Sequence, residues 1–315
     1  PIEGGELTGG AIPSSGHYLS LTAYQNWLAT ATGNRTQVTR TYYDASIHQG
    51  ITAQFNSGQQ NLRNRVSTSA YFEEYTPGIT AATDYAYASH YSYDIHGNVI
   101  ELVQQNNELK DLGQEYKKLE YDFDLVSGNV NQVSYQAGQY DEFYHRYCYD
   151  ADNRITRVLT SRDGKIYEQD KKYLYYAHGP LARVETGSEQ VQGCDYAYTL
   201  QGWQKGIKAS TGRADLDPGQ DGNGATTLHQ QFGQDAMGFS LHYYQGDYTR
   251  IASSAPNHLM ASNNVTMNAQ SADLFNGNIS KMVTALTNTN NTPERVIANA
   301  YQYDQKNRLR YFRAY

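Results

Sequence analysis

The chain has 315 residues and a net charge of −7, and 30 of its residues are tyrosine against 8 phenylalanine and 2 tryptophan. Lys and Arg form only short pairs such as Lys117–Lys118, beside acidic residues, so no nucleic-acid groove is expected. No apolar run approaches the roughly 18 residues of a membrane span. The chain begins at Pro1 and not at Met, so we expect a piece of a longer polypeptide.

The composition favours β-structure. Tyrosine buries a large ring but keeps a hydroxyl that needs a partner or water, which suits sheets with a solvated face. The 27 glycines, with many Asn, Asp and Ser, indicate tight turns. Two cysteines cannot form a disulfide framework. We expect Cys148 to be a packed free thiol, with a bridge to Cys194 as the alternative, and neither state identifies the compartment.

Residues 1–40 are predicted to form an irregular N-terminal segment. Leu21, Tyr24 and Leu28 have helical spacing, which predicts a short helix within 17–29. Residues 41–55 resemble a degenerate copy of the repeat described next, with Tyr43–Asp44 as its dipeptide and Gly50 as its turn glycine.

Residues 41–207 are predicted to be a series of β-hairpins. The repeated pattern is Tyr-x-Tyr, usually Asp, then a Gly or Asn and an apolar residue. The second tyrosines are Tyr93, Tyr121, Tyr149, Tyr175, Tyr198 and, later, Tyr303; the aspartates are Asp94, Asp122, Asp150 and Asp304; the turn residues are Gly97, Gly128, Asn153, Gly179, Gly202 and Asn307. The first five tyrosines are spaced by 28, 28, 26 and 23 residues, a period typical of stacked supersecondary units.

Each position of the repeat has a physical role. Alternate tyrosines lie on one face of a strand, Asp can start an Asx-type turn, and Gly or Asn tolerates positive φ. The apolar residue that opens the return strand is followed by a second one three positions later, as in Val99 and Leu102. In a regular strand these two would lie on opposite faces, whereas a bulge would return them to one face. The sequence leaves both arrangements open.

Residues 208–272 are predicted to be a loop-rich insertion, and 273–315 a further hairpin of the repeat. The insertion places Asp215, Asp217 and Asp221 in a Gly-rich loop, where oxygen ligands could hold Ca²⁺. The spacing departs from the EF-hand pattern and lacks the closing Glu. A solvated turn is therefore the preferred interpretation, and we expect no bound metal or cofactor.

Catalytic motifs are not recognised in the sequence. The nine histidines include no His-x-x-x-His, and there is no Gly-x-Ser-x-Gly, phosphate-binding loop or dinucleotide fingerprint. Carboxylates at equal repeat positions are better explained by turns than by glycosidase chemistry. We therefore expect no enzymatic activity.

The motifs Tyr-Asp-x-x-Gly-Asn-Val and Tyr-Asp-x-x-Asn-Arg-Ile resemble the YD repeats of the RHS family, which occur in bacterial RHS proteins, the C components of Tc toxins and teneurins. The resemblance covers most of the chain and is clearest over residues 85–207. The segments 180–185, 195–206, 238–248 and 274–282 also resemble connecting motifs of long RHS proteins from Bacteroidetes-type bacteria. The resemblance implies an all-β fold in which a large antiparallel sheet spirals into a shell.

The resemblance also implies a function for the chain. We expect a shell segment of a secreted or bacterial cell-surface protein that encloses or delivers a C-terminal toxin or effector. Its partners would then be the rest of the same polypeptide and the enclosed effector. The alternative is an adhesion or docking module that binds a glycan or a cell-surface or secretion-system protein.

Overall fold

The computed structural model describes residues 35–75, 84–208, 218–222, 229–248, 272–287 and 293–314. The fold is all-β, as the repeat pattern predicts. Sixteen strands form one open antiparallel sheet, and each strand is hydrogen-bonded to its neighbours in the sequence. The strands are β1 (Arg35–Tyr43), β2 (Val66–Tyr75), β3 (Tyr87–Tyr93), β4 (Val99–Asn106), β5 (Tyr116–Phe123), β6 (Val130–Tyr135), β7 (Phe143–Tyr149), β8 (Ile155–Ser161), β9 (Glu168–Tyr175), β10 (Leu181–Thr186), β11 (Gln192–Tyr198), β12 (Gln204–Ile207), β13 (Met237–His242), β14 (Lys281–Thr287), β15 (Pro293–Tyr303) and β16 (Leu309–Ala314).

Two compact units make up the chain. The first comprises Pro1–Phe123 and Val133–Glu142, and the second comprises Asp124–Gln132 and Phe143–Tyr315. The segment limits at 40, 207 and 272 concern the repeat pattern and stay predictions. The helix predicted within 17–29 lies outside the described residues.

Helical structure in the described residues is limited to two short segments, α1 (Gln49–Thr52) and a 3-10 helix (Asn107–Leu112). The assignment of Gly50 as a turn glycine was wrong, because Gly50 lies inside α1. Here β1 and β2 are joined by a long connection that contains this helix, and the side chain of His48 caps its first turn by accepting from Ile51 N at 3.3 Å. No helix in this part of the chain is long and apolar enough to cross a membrane.

The hydrophobic cores are small. In the first unit Ala70, Phe72, Tyr85 and Ala88 form one buried cluster, and Ile51, Phe55 and Val103 form another. In the second unit Val283 and Ala298 are packed together under Val296. Cys148 and Cys194 are both free and half-buried, which confirms the expectation for Cys148. Much of the remaining buried surface is polar, so hydrogen bonds and ion pairs must satisfy it.

Candidate functional site

The corner of the β3–β4 hairpin is built around one carboxylate. Asp94 Oδ1 accepts hydrogen bonds from the backbone N–H groups of Gly97 at 2.7 Å and Asn98 at 2.8 Å. The backbone N–H of Asp94 donates to the carbonyl oxygen of Asn98 at 2.9 Å, which closes the turn. The carboxylate therefore satisfies the amides that a tight turn leaves without strand partners.

In two corners of the second unit, the aspartate at the equivalent position also binds an arginine. Asp150 accepts from the backbone N–H of Arg154 at 2.9 Å and from its Nε at 2.8 Å. Asp304 holds Arg308 in the same way, at 3.0 and 2.8 Å. These backbone hydrogen bonds lower the pKa of both aspartates, because they stabilise the charged form. The Tyr-Asp-x-x-Asn-Arg motif thus forms a turn that is held by hydrogen bonds between its own Asp and Arg.

The turn residue of each predicted copy has a left-handed backbone. The φ angles of Gly97, Gly128, Asn153, Gly179, Gly202 and Asn307 are +104°, +73°, +60°, +115°, +83° and +60°. A residue with a Cβ is strained in this region, and Asn tolerates it better than most. This explains why only Gly and Asn occupy the position.

Two corners lack the aspartate and are closed by other groups. In the β11–β12 hairpin, Thr199 Oγ1 accepts from the backbone N–H of Trp203 at 3.1 Å, in place of a carboxylate. In the β9–β10 hairpin, the backbone N–H of Tyr176 donates to Pro180 O at 2.9 Å, and the Tyr176 hydroxyl donates to Tyr196 O at 2.7 Å. Tyr175 and Tyr198 end the strands that lead into these corners.

A β-bulge follows the corner at one fixed position. Ser92 faces Glu101 whereas Tyr93 faces Val99, so Ile100 is the extra residue. The equivalent extra residues in the other hairpins of the repeat are Thr156, Ala182, Lys205 and Arg310. The bulge decides between the two arrangements that the sequence left open. Tyr93 faces Val99 and Tyr91 faces Leu102, so each tyrosine of the pair lies opposite an apolar residue.

Tyrosine hydroxyls bind each of several hairpins to the strand before it. The hydroxyls of Tyr93, Tyr149, Tyr175, Tyr243 and Tyr303 donate to the carbonyl oxygens of Val66, Val130, Ile155, Gln204 and Ile279 at 2.8, 2.8, 2.7, 2.8 and 3.0 Å. Each acceptor lies at or just before the start of the preceding strand. We call this bond the tyrosine link. It adds a side-chain bond to the backbone ladder and gives the half-buried or buried tyrosine the polar partner that its hydroxyl requires.

The position of the link in the ladder is constant. Arg157 faces Lys172; the acceptor Ile155 lies two residues before Arg157, and Tyr175 lies three residues after Lys172. The same count relates each link to its ladder for Tyr93, Tyr243 and Tyr303. Tyr198 also occupies this position relative to Leu181. One pair of facing residues between two strands is therefore enough to locate the position of the linking tyrosine.

The second copy of the repeat is aligned two residues later than the sequence predicted. Glu101 faces Glu120, so the count places Phe123, and not Tyr121, at the linking position. Asp124 Oδ2 accepts from the backbone N–H of Ser127 at 2.7 Å, so the turn carboxylate is Asp124 and not the exposed Asp122. The prediction for Tyr121 and Asp122 was wrong because two aromatic–Asp dipeptides follow each other. Only Asp124, in the second dipeptide, is placed so that its carboxylate can accept hydrogen bonds from the backbone amides of the turn.

Arg183 on β10 is the centre of a buried ion cluster that the sequence analysis missed. Its guanidinium nitrogens lie 2.5 Å from Asp195, 2.5 Å from Asp221 and 3.3 Å from Glu185. The ring centroid of Phe232 lies 4.6 Å from Arg183 Cζ. A planar guanidinium suits this site because it can bond several carboxylates while stacking on an aromatic ring.

Two glycines make room for the guanidinium. A Cβ on Gly193 would lie 2.0 Å from Arg183 Nη2, and a Cβ on Gly219 would lie 2.2 Å from Arg183 Nη1. The cluster also fixes residues 218–222 and 229–235 to β10 and β11, because Asp221 and Phe232 come from this segment. The sequence gives one sign of this cluster, which is the carboxylate of Glu185 two residues after Arg183 in PLARVE. The partner Asp221 lies 38 residues away from Arg183.

Asp195 has the strongly shifted pKa of this cluster. Burial raises it to about 7, aided by the carboxylates of Asp221 and Asp235 and opposed by the Arg183 guanidinium. Lys172 adds a second cation, 2.9 Å from Glu185. Carboxylates outnumber cations here, which favours retention of a proton near neutral pH.

The solvated turn expected at Asp221 was wrong, because Asp221 is brought into the buried cluster of Arg183. Asp221 is buried and its carboxylate binds the Arg183 guanidinium. Asp215 and Asp217 lie outside the described residues. Within the described ranges no group of three metal-ligating side chains is present.

A serine and a histidine that could suggest nucleophilic chemistry lie together on β13. Ser240 Oγ is 3.1 Å from His242 Nε2, and His242 Nδ1 is 3.1 Å from Lys205 Nζ. Lys205 is held by both Asp247 oxygens at 2.8 and 2.9 Å, so its ammonium must donate to Nδ1. The proton then lies on Nε2 and is donated to Ser240. This tautomer cannot accept the serine proton, and Ser240 is fully buried.

A buried polar network stabilises the first unit. Tyr85 hydroxyl donates to Gln105 Oε1 at 2.5 Å, and His90 Nε2 lies 3.2 Å from the same oxygen. His90 Nδ1 accepts from the Thr68 hydroxyl at 2.9 Å. Gln105 Oε1 can only accept, so Nε2 carries a proton, and burial favours the neutral form of the imidazole. Burial lowers the pKa of His90 to about 4.

A polar cleft of about 450 Å³ also lies in the first unit. Its side-chain lining includes the amides of Gln54, Asn56, Gln114, Gln136 and Gln139, the charged groups of Lys118, Glu120 and Asp141, and the rings of Tyr116 and Tyr140. Lys118 Nζ lies 2.9 Å from Glu101 and 3.0 Å from Glu120, so its charge is compensated within the protein. The cleft can offer hydrogen bonds to a neutral polar ligand or a partner chain.

No protein-family model matches the chain, and no curated protein matches it. Two crystal structures of TcdB2–TccC3, one with Cdc42 and one without the hypervariable C-terminal region, are each 16% identical over 89% of this chain, with TM-scores of 0.44 and 0.45. A Tc holotoxin pore of Photorhabdus luminescens is 13% identical over 90% of this chain, with a TM-score of 0.41. The chain spans 12% of the TcdB2–TccC3 chains and 14% of the pore chain. The likeness is limited, and the fold assignment rests on the strand pairing described above.

Proposed function

We propose that the chain is a wall segment of a larger secreted or cell-surface protein of the RHS type, and that the wall encloses or helps to deliver a C-terminal toxin or effector. The observation that carries the proposal is the tyrosine link. Each link fastens a hairpin to the preceding strand at a fixed register, and the bond recurs along the sheet. A hydrogen bond repeated at the same register between successive hairpins suits a sheet with a mechanical role.

The energetics of the repeat support a mechanical role. A cross-strand aromatic pair contributes about 0.2–1 kcal/mol, and a neutral hydrogen bond about 1 kcal/mol. Each is modest, but both recur in hairpin after hairpin. The buried ion cluster of Arg183 adds a tertiary contact that holds an inserted segment against β10 and β11. These features favour stiffness, and the His242 tautomer described above argues against a serine nucleophile at the Ser240 position.

Limited proteolysis of the isolated chain tests the wall. We expect residues 85–207 to survive as protected fragments at protease concentrations that cleave an unfolded control of the same chain in urea. The reason is that a hydrogen-bonded strand must open locally before it can enter a protease site. Rapid cleavage throughout 85–207 would contradict the proposal.

Containment needs a test in the longer polypeptide that the proposal requires. An epitope tag in the segment after the repeats should resist protease while the wall is folded and become cleavable after mild denaturation. A tag that is cleaved equally fast under both conditions would exclude containment and leave the alternative function.

The alternative is an adhesion or docking module. Tyr140 on the rim of the polar cleft is fully exposed, and Leu125 and Val126 at a hairpin corner are 89% and 96% exposed. Exposed aromatic and apolar side chains are typical of protein and glycan contacts. Binding of the isolated chain to a glycan array or to whole cells, lost in Tyr140→Ala, would favour this function over containment.

A further inference from the structure

The ion pair of Lys205 and Asp247 in the second unit is deeply buried. Its two side chains are 3% and 6% exposed, and Lys205 Nζ lies 2.8 and 2.9 Å from the two carboxylate oxygens. Four other lysines that pair with a carboxylate are more exposed, at 21%, 21%, 41% and 15% for Lys117, Lys118, Lys172 and Lys208. A pair shielded from water loses most of the solvation that stabilises its two charges.

Local structure brings the amine and the carboxyl group together. Lys205 is the extra residue of the bulge in β12, and a bulge redirects the side chain that it carries. Asp247 lies in the turn after β13, where its Oδ2 accepts from the backbone N–H of Tyr243 at 2.9 Å. A nitrogen this close to both carboxylate oxygens lies about 3 Å from the carbon that joins them, which is the range for nucleophilic attack.

Burial favours the uncharged form of the lysine. It lowers the pKa of Lys205, and the hydrogen bonds and charge of Asp247 oppose this shift without cancelling it. At the more exposed Lys118 burial acts in the same direction, but Glu101 and Glu120 outweigh it and raise the pKa. A desolvated lysine is a nucleophile because its nitrogen can lose the proton that blocks the lone pair. Once water no longer stabilises the ion pair, an amine and a carboxylic acid can condense to an amide.

Two further groups lie where a condensation requires them. His242 Nδ1, which carries no proton in the tautomer derived above, is 3.1 Å from Lys205 Nζ and can accept a proton from it. The backbone N–H of Tyr243 points at Asp247 Oδ2, where negative charge develops when the carboxyl carbon is attacked. The site therefore contains a nucleophile, an electrophile, a base and a donor for the developing oxyanion.

We propose that Lys205 and Asp247 form an intramolecular amide bond that joins β12 to the turn after β13. The ammonium first passes a proton to Asp247 Oδ1, which gives an amine and a carboxylic acid. Nζ then attacks Cγ, and the electron pair of the C=O bond moves to Oδ2. A proton passes from the nitrogen through His242 to the Oδ1 hydroxyl, the Cγ–Oδ1 bond breaks, and one water molecule leaves. The reaction uses only groups of the second unit and does not depend on containment.

The intact mass of the 315-residue chain, measured under denaturing conditions, tests the bond. After incubation until the mass is constant, we expect a value lower than that of the sequence by one water molecule. Trypsin should then fail to cleave after Lys205. The tryptic peptide 184–208 should be joined to the peptide 214–250, and fragmentation should place the branch at Lys205 and Asp247.

Three variants assign the roles. Lys205→Arg keeps a positive charge beside Asp247, but a guanidinium stays protonated and cannot form the bond, so this chain should have its full mass. Lys118→Arg is the matched control and should still lose one water molecule. In His242→Gln the water loss should be about 100-fold slower, since a general base contributes at least this much. Circular dichroism verifies that each variant is folded.

A full mass that stays constant on prolonged incubation of the unmodified chain would overturn the proposal. So would a water loss that persists in Lys205→Arg, or one that maps to Asp163 or Asp221, each of which precedes a glycine and can lose water by cyclising. The protection of residues 85–207 and the epitope-tag experiment concern other features. Failure here is therefore distinguishable from failure of the proposed wall function.

Discussion

The hydroxyl of Tyr175 donates a 2.7 Å hydrogen bond to the carbonyl oxygen of Ile155, the residue that opens the strand before it. Tyr175 also faces Leu181 across its own hairpin. Tyr175 on β9 thus bonds to β8 through its hydroxyl and faces β10 across the hairpin. Its ring centroid lies 4.5 Å from Arg154 Cζ, and its hydroxyl binds Ile155 of the same preceding hairpin. The second tyrosine of the repeat therefore adds a side-chain bond between successive hairpins to the backbone ladder that joins them.

Removal of the Tyr175 hydroxyl should lower the free energy of unfolding by about 1 kcal/mol, the usual net contribution of a neutral hydrogen bond. Tyr175→Phe keeps the ring and therefore isolates this bond. Urea unfolding followed by circular dichroism measures the change. Combination with Tyr149→Phe and Tyr303→Phe, in the same unit, should add to about 3 kcal/mol because the three links are separate. Tyr311→Phe on β16 is the control and should change little, because Tyr311 is 52% exposed. A combined loss of unfolding free energy well below about 3 kcal/mol would show that the tyrosine links contribute little to stability.

The left-handed corner makes a separate prediction. Asn153 has a φ of +60°, so Asn153→Ala should destabilise the second unit by about 1–2 kcal/mol, whereas Asn153→Gly should be nearly neutral. Thermal or urea unfolding measures both. Asp152→Ala at the neighbouring, exposed position is the control. Equal effects of Ala and Gly at 153 would mean that the side-chain amide, and not the backbone, determines the residue.

Much of the repeat could be predicted from local residue types, because its determinants are local. Alternation of tyrosines specifies a strand face, and the Asp and the Gly or Asn specify a turn, so the all-β class and the hairpin order follow. The bulge could not be predicted, since a spacing of three fits two arrangements until a partner strand is present. Arg183 was missed for a related reason. Its carboxylate partner Asp221 is brought to it by tertiary structure and not by sequence spacing.

The corrected alignment of the second repeat can be checked by two alanine substitutions. Asp124→Ala should lower the free energy of unfolding by about 1 kcal/mol or more, because it removes the acceptor for Ser127 N and leaves turn amides without it. Asp122→Ala should have little effect, since Asp122 is exposed. A larger effect at 122 than at 124 would restore the original alignment.

Replacement of Arg183 should be the most destabilising change in the second unit. Arg183→Met removes the buried cation and leaves three carboxylates nearby, which typically costs about 3–5 kcal/mol. Arg183→Lys should also destabilise, because an ammonium cannot reproduce the planar bonds to Asp195 and Asp221 or the stacking on Phe232.

Arg157→Met on strand β8 is the matched control, because Arg157 is exposed. Hydrogen exchange adds a local measurement. In Arg183→Lys, faster exchange should appear first in residues 229–235, which the cluster fixes to β10 and β11. Unchanged protection of this segment would contradict the anchoring role of the cluster.

The buried histidine of the first unit should make stability depend on pH in a defined window. The pKa of His90 is lowered to about 4 in the folded chain, against about 6.5 for an unfolded histidine. Between these values the unfolded state binds more protons, so stability falls as pH decreases from about 6.5 to about 4. The shift corresponds to a loss on the order of 3 kcal/mol over the window. His90→Gln should flatten this part of the profile although it also costs stability at pH 7, because Thr68 and Gln105 lose a fitted partner. His178→Gln, at an exposed corner, should leave the slope unchanged. The buried His242 of the second unit, whose pKa burial also lowers to about 4, should leave part of the slope in His90→Gln. A slope as steep as that of the unmodified chain would assign the acid sensitivity to other groups.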